Sequence, residues 1–171
     1  MSEWSKIVEI VNLPSAGKSY SLEANDSQCR DIAKRLSIPG VRQFSGDVDL
    51  QSVTGGILIE GNLTGELDRV CSLSLESMIE KVEEKFSVRM LRNVDDTVDG
   101  DDILLSDESI EPLEGDSVDI ADFLTQQLAI AMTPWPKIDD AESLTEEFGK
   151  TGDISPFSIL KTAFKDTPEE N

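Results

Sequence analysis

The chain has 171 residues, a formal charge of −20, 38% apolar and 5% aromatic residues, and no histidine. This length allows one domain with a core of Leu, Ile and Val, and the lack of histidine removes the commonest general base of enzymes. Two cysteines, Cys29 and Cys71, are too few for a disulfide framework, which favours a reducing compartment. Neither a signal peptide nor a membrane span is predicted, so we expect a cytoplasmic protein.

The acidic excess lies in the second half of the chain. Residues 1–92 carry 14 acids and 11 Lys or Arg, whereas the stretch between Arg92 and Lys137 has 12 acids and no basic residue. Such a field repels a phosphate backbone and attracts basic proteins. A purely solubilising role for these acids is the alternative.

The first elements predicted are two short strands, KIVEIV from Lys6 and SYSLEA from Ser19, which we expect to pair as a hairpin. Between them, Gly17, Lys18 and Ser19 resemble part of a phosphate-binding loop. The glycine five positions earlier is missing and a strand rather than a helix follows, so we predict no nucleotide site here.

A short amphipathic helix follows, with Asn25 or Asp26 as its cap and Pro39 after its end. Its apolar side is predicted to be buried and holds Cys29, Ile32, Ala33 and Leu36. Four cations form the one dense basic cluster of the first half: Arg30, Lys34, Arg35 and Arg42. We take this basic cluster as the candidate contact with RNA phosphates or an acidic partner, with a solvated surface as the alternative.

Residues 43–75 alternate apolar and polar side chains, which predicts short strands of a curved antiparallel, partly barrel-like sheet. We expect the glycines of this stretch at turns or bulges, and Cys71 to continue a buried strand face with Leu73 and Leu75. Residues 77–91 fit a helix or a strand. A strand from about Lys81 is favoured, because it extends a sheet already present.

Residues from about 93 to 118 are predicted to form an acidic loop. Asp95, Asp99 and Gly100 resemble a calcium loop, but Thr97 and Ser106 occupy ligand positions, so we predict no calcium site. From Asp119 to Pro136 the apolar spacing predicts a buried helix, capped by Asp119 and ended by the prolines.

Residues 137–171 are predicted to form a polar linker and a short C-terminal helix. Phe157, Leu160 and Phe164 lie on one side of that helix, which either docks on a partner or closes on its own domain. The whole chain is therefore predicted to be α+β: a single domain over residues 1–136, with an early short helix and C-terminal helices packed on the sheet.

Three motifs in order resemble the YceD family, the large ribosomal RNA subunit accumulation proteins of bacteria and plastids. They are GNLTGELDRVCSLSLE (residues 61–76), VDIADFLTQQLAIAMTPWP (118–136) and SPFSILKTAFK (155–165). The resemblance implies a non-enzymatic role in accumulation of large-subunit ribosomal RNA. It implies ribosomal proteins or assembly intermediates as partners, with limited contact to ribosomal RNA.

Zinc is not expected, although many proteins of that family have a second cysteine three residues after the first and some have a further pair. Here Ser74 stands at that position and Cys71 is the last cysteine, so four soft ligands cannot be assembled. We predict no metal, no cofactor and no catalytic constellation. The alternative function is an acidic binding module or chaperone for a basic protein, without a ribosomal role.

Overall fold

The computed structural model describes residues 4–92 and 109–139. They form seven strands and two α-helices, which confirms the α+β prediction. In chain order the elements are β1 (Ile7–Glu9), β2 (Lys18–Glu23), α1 (Asp26–Leu36), β3 (Gly40–Val53), β4 (Gly56–Val70), β5 (Ser77–Leu91), β6 (Ser109–Pro112), β7 (Ser117–Asp119) and α2 (Ile120–Ala131).

The main sheet has five strands in the order β2-β3-β4-β5-β6. Its neighbouring strands are antiparallel except β5 and β6, which run parallel. The strand order does not return to its first strand, so within the described residues this sheet is not closed into a barrel. The expected short strands are instead β3 and β4, of 14 and 15 residues, joined by a tight turn in which Gly55 has φ of +83°.

Three glycines predicted at turns or bulges lie inside these long strands, where they allow close approach of other groups. A Cβ on Gly46 would lie 2.7 Å from Leu124 Cδ2 of α2, and one on Gly61 would lie 2.1 Å from the carbonyl oxygen of Asp47. A Cβ on Gly65 would lie 3.3 Å from Leu128 Cδ1. The alternating residues thus form strands as predicted, but these three glycines allow close packing inside the strands and mark neither turns nor bulges.

The core lies between one face of the sheet and α2. β3, β4 and β5 each contribute every second residue to it, since successive side chains of a strand point to opposite faces. The largest fully buried side chains include Phe44, Leu50, Ile57, Ile59, Leu63, Leu67, Leu124 and Leu128. At one end, Phe86 of β5 and Phe123 of α2 pack edge to face with ring centroids 5.5 Å apart.

Helix α1 confirms the predicted amphipathic helix. Asn25 accepts hydrogen bonds from the backbone N–H groups of Ser27 and Gln28, while Gln28 Oε1 accepts from Asn25 N. This reciprocal cap satisfies donors that the first helical turn leaves free. The side predicted to be apolar is buried at Cys29, Ile32 and Ala33.

Helix α2 confirms the predicted buried helix and its cap. Asp119 Oδ1 accepts hydrogen bonds from the backbone N–H groups of Ala121 and Asp122 and, at 2.8 Å, from Lys6 N. Burial acts to raise the pKa of Asp119. The hydrogen bonds from Lys6, Ser5, Asp122 and Ala121 outweigh it and hold that pKa below its ordinary value.

The N-terminal residues pair differently from the prediction. β1 forms a two-stranded antiparallel sheet with β7, in which Ile7 pairs with Asp119, and β2 pairs with β3, so the expected hairpin is wrong. Trp4 Nε1 donates to Ala121 O at 2.9 Å and to Thr125 Oγ1 at 3.0 Å. The start of the described chain is thus attached to α2.

Three further expectations are corrected. β6 and β7 lie where a continuous acidic loop was predicted, and β5 begins at Ser77 rather than near Lys81. β4 ends at Val70, so Cys71 does not continue a strand with Leu75, which is exposed and has φ of 59°. None of the helices in the described ranges is long and apolar enough to cross a bilayer.

Candidate functional site

The predicted basic cluster lies on α1 and at the beginning of β3. Three of its four cations pair with carboxylates. Arg35 of α1 bonds Asp122 of α2, and Arg42 Nε of β3 lies 2.7 Å from Asp68 Oδ1. This hydrogen bond with Asp122 is the main cause that raises the pKa of Arg35.

Lys34 and Arg30 complete the cluster on α1. Lys34 Nζ lies 3.4 Å from Asp31 Oδ1, three residues earlier on the same helix. Arg30 is exposed, and the ion pairs found within residues 4–92 and 109–139 do not include it. Three of the four cations are thus locally balanced, which leaves little net positive potential for a phosphate backbone.

Residues of the motifs at 61–76 and 118–136 meet near the turn that joins β4 to β5, around a buried ion pair. Arg69 of β4 bonds Glu80 of β5, and the two side chains are only 11% and 9% exposed. Arg69 Nη2 also donates to Thr133 O at 3.0 Å, and Thr133 N donates to Glu80 Oε1 at 2.7 Å. The chain leaving α2 is therefore fixed to both strands by charge-assisted hydrogen bonds, which are stronger than neutral ones.

Cys71 lies next to this ion pair in sequence and also contacts the chain that follows α2. Its sulfur accepts hydrogen bonds from the backbone N–H groups of Ser74 at 3.5 Å and Ile138 at 3.4 Å, and Ser72 N donates to Pro136 O at 2.8 Å. Hydrogen bonds from the Ser74 side chain and backbone and from Ile138 outweigh burial and lower the pKa of Cys71 to about 7. We define the hairpin end with residues 132–138 as the junction.

The junction carries exposed apolar side chains. Trp135 and Leu75 are 76% and 67% exposed, and Val70 and Ile79 are also exposed. Leu75 and Trp135 each lie within a few residues of a backbone hydrogen bond made by Cys71 or Ser72, so they belong to one end of the molecule. Exposed aromatic and aliphatic side chains of this kind are typical of protein contact surfaces.

The sheet face opposite α2 is polar. Its side chains alternate with the buried ones, and among the described residues its acids outnumber its cations; the acids include Asp47, Asp49, Glu60, Glu66, Asp68 and Glu83. The aromatic side chains of the described strands, Tyr20, Phe44 and Phe86, occupy register positions of the covered face. Single-stranded RNA readers stack bases on sheet aromatics, and this face offers no such platform within the described strands.

The other residues considered in the sequence lie as follows. Gly17-Lys18-Ser19 leads into strand β2, and Lys18 Nζ lies 5.0 Å from the Tyr20 ring centroid. Cys29 is buried, and burial followed by the charge of Asp26 raises its pKa. The candidate docking residues Phe157, Leu160 and Phe164 lie outside the described residues. Across residues 4–92 and 109–139, His, Cys, Asp and Glu side chains form no group of three or more that could hold a metal.

The Arg69–Glu80 pair was not predicted from the sequence. A signal for it exists, because Arg69 continues the odd-numbered series of Leu63 and Leu67 on the buried face of β4. A charge on such a face requires a buried partner. Finding Glu80 required the register of β5, which the sequence did not provide.

The fold and these surfaces define an α+β protein with an open sheet, one covered face and an acidic surface. Comparison of the chain with protein-family models, with curated proteins and with solved structures gives no match.

Proposed function

We propose that this protein is a non-enzymatic, cytoplasmic factor that supports accumulation of large-subunit ribosomal RNA, mainly through contacts with basic proteins of the assembling subunit. The observation that carries the proposal is the junction. Two of the three motifs that resemble the YceD family are far apart in sequence, yet their residues Arg69 and Thr133 are hydrogen bonded to each other beside the buried Arg69–Glu80 pair. Because the motifs at residues 61–76 and 118–136 contact each other, they form one structural unit. This supports a fold shared with that family, and therefore the role that the resemblance implies.

Charge favours protein over RNA as the main partner. The basic cluster is largely paired with carboxylates, and the chain carries a formal charge of −20. A basic ribosomal protein would be attracted over a long range by this field, whereas an RNA backbone would be repelled. Contact with ribosomal RNA is restricted in this proposal to Arg30 and its neighbours on α1.

Sedimentation of extracts from cells with and without the protein tests the proposal. Loss of the protein should lower the ratio of large to small subunits, and expression of the wild-type chain should restore it. A variant with Arg30 and Lys34 both changed to Ala should restore the ratio nearly fully if protein contacts dominate. An unchanged subunit ratio in cells that lack the protein rejects the ribosomal role.

The second candidate is an acidic binding module or chaperone for a basic protein without a ribosomal role. The exposed apolar side chains at the junction and the acidic open face of the sheet favour binding of this kind. Pull-down with the purified chain at low and high salt separates the two candidates by the identity of the proteins retained. Catalysis is tested directly, since nucleotide turnover that Lys18→Ala abolishes would refute the non-enzymatic role.

A further inference from the structure

Strand β5 has a long backbone edge that no described strand covers. β5 runs from Ser77 to Leu91, and β6 pairs only with Val88–Leu91. Among residues 4–92 and 109–139, no strand lies beside Ser77–Ser87 on the side away from β4. Unpaired N–H and C=O groups on such an edge can accept a further strand.

The hydrogen bonds at the end of β5 determine which residues present their backbone to this edge. Leu91 O accepts from Leu113 N on the β6 side, whereas Arg92 N donates to Gly55 O on the β4 side. The β4–β5 register continues without a shift from Leu91 back to Ser77. Backbone direction alternates along a regular strand, so Lys81, Glu83 and Lys85 point their N–H and C=O groups away from β4.

A groove lies along this edge between β5 and α2. It has a volume of about 380 Å³ and is lined by β5 residues Glu84–Val88, by Ser109, and by Gln127, Ile130 and Ala131 of α2. Ile130 is 74% exposed, although it lies on a helix whose opposite side is core. A strand edge with an exposed apolar side chain beside it is a surface to which an extended peptide can add as a further strand.

We propose that the edge of β5 binds an extended, basic segment of a partner protein as an additional strand. This inference rests on the proposed function, because it identifies the surface that receives a basic protein. Main-chain bonds to Lys81, Glu83 and Lys85 hold the segment, and one face of it packs an apolar side chain on Ile130. The basic side chains of the segment lie on its other face, beside Glu83 on the open face of β5, and the acidic field of the whole chain attracts them.

The probe is a synthetic ten-residue peptide with blocked termini in which Lys and Val alternate, and the control peptide has Glu in place of Lys. Binding to the full chain is measured by titration, and hydrogen exchange is followed at single amides. We expect the Lys peptide to bind and to slow exchange at Lys81, Glu83 and Lys85. The Glu peptide should bind at least about tenfold more weakly, because its charge has the sign of the protein's.

Two variants at one position separate backbone pairing from side-chain charge. Glu83→Pro removes an N–H that points out of the sheet, and proline is tolerated at such edge positions. It should weaken the Lys peptide about tenfold, since it removes a main-chain bond and obstructs the neighbouring one. Glu83→Ala keeps the N–H and should lose only about two- to threefold in affinity. Near-ultraviolet circular dichroism verifies that both variants are folded.

Several results would overturn this proposal. They are absent binding of the Lys peptide, equal affinity of the Pro and Ala variants, and unchanged exchange at the three amides. If Glu83→Pro does not fold, the exchange data on the wild-type chain decide alone. Protection of these amides in the free monomer would mean that another part of the chain occupies the edge, and a dimer that Glu83→Pro dissociates would mean that a second copy does.

Failure of this proposal is distinguishable from failure of the proposed function. The subunit ratio in cells reports on the ribosomal role, whereas peptide binding and amide exchange report on the edge. Absent peptide binding overturns the edge proposal whatever the subunit ratio is. An unchanged subunit ratio together with peptide binding rejects the ribosomal role but supports the edge as a binding site.

Discussion

The buried Arg69–Glu80 pair provides a sharp test of how the junction is held. Glu80→Ala leaves a guanidinium that is 11% exposed without its carboxylate, and removes the acceptor of Thr133 N. Breaking a buried pair from one side costs about 3–5 kcal/mol. Since both side chains retain slight access to water, we expect the lower end of that range, about 3 kcal/mol. The melting temperature should then fall by about 6–12 °C.

Equilibrium urea unfolding of three variants measures this cost. Glu80→Gln keeps an oxygen for Thr133 N but loses the charge, so it should cost about half as much as Glu80→Ala. A double variant, Arg69→Met with Glu80→Leu, removes both charges and retains apolar volume. It should lie within about 1 kcal/mol of the wild type, because paired removal leaves no uncompensated buried charge.

The reasoning is refuted if Glu80→Ala costs less than about 1 kcal/mol, which is the range of exposed ion pairs. It is equally refuted if the double variant costs as much as Glu80→Ala, since the loss would then not come from a buried guanidinium left without its carboxylate. The dependence of unfolding free energy on urea should be similar in all variants, so that differences report native stability.

Three further predictions concern other parts of the fold. Asp119→Ala should lower the free energy of unfolding in urea by about 2 kcal/mol, because it removes a helix cap and the hydrogen bond from Lys6 N. Since the pKa of Asp119 is lowered, the stability difference between wild type and variant should be largest above about pH 4 and decrease as the pH falls below it. Gly61→Ala should cost at least about 2 kcal/mol, because its Cβ would meet a strand carbonyl, whereas Gly65→Ala, with a contact of 3.3 Å to a side chain, should cost less than about 1 kcal/mol; equal costs would contradict this. The pKa of Cys71 is lowered to about 7 from 9.0. The stability of the wild type relative to Cys71→Ala should therefore rise as the pH increases from about 7 to 9.0, and this gain should be lost as the pH falls through about 7. A flat pH profile would show that the thiolate is not stabilised.

The helices and the strand character of the sheet were predictable because each rests on a local pattern. Asn25 and Asp119 precede runs of apolar residues with helical spacing, and caps act over three or four residues. The alternation in β4 likewise follows from the pleat. These signals require only neighbours in sequence, which is why α1, α2 and the strand content were recovered.

Strand lengths and pairing could not be predicted, because they depend on contacts between distant residues. Gly61 ends a strand by propensity, but here it provides space for the carbonyl of Asp47 and the ring of Phe86. β1 was expected to pair with its neighbour in sequence, whereas its partner β7 lies more than one hundred residues later. Tertiary contacts of this kind override local preference.

For the candidate site, the sequence identified cations but not their partners. Arg35 and Arg42 form a basic cluster in one dimension, and Asp122 and Asp68 are distant from them along the chain. Net potential is a property of three-dimensional neighbours, so no one-dimensional pattern could indicate that these charges are balanced. The C-terminal candidate residues Phe157, Leu160 and Phe164 remain a prediction.

The pairing of β1 with β7 has a consequence for synthesis. At about 5–20 residues per second, a nascent chain exposes β1 for several seconds or more before β7 has been translated. During that interval the indole of Trp4 lacks both of its hydrogen-bond acceptors on α2 and remains exposed to solvent. Pairing of β1 with β7 must therefore follow synthesis of most of the chain. The change in fluorescence emission of Trp4 as it packs on α2 would report when this pairing occurs.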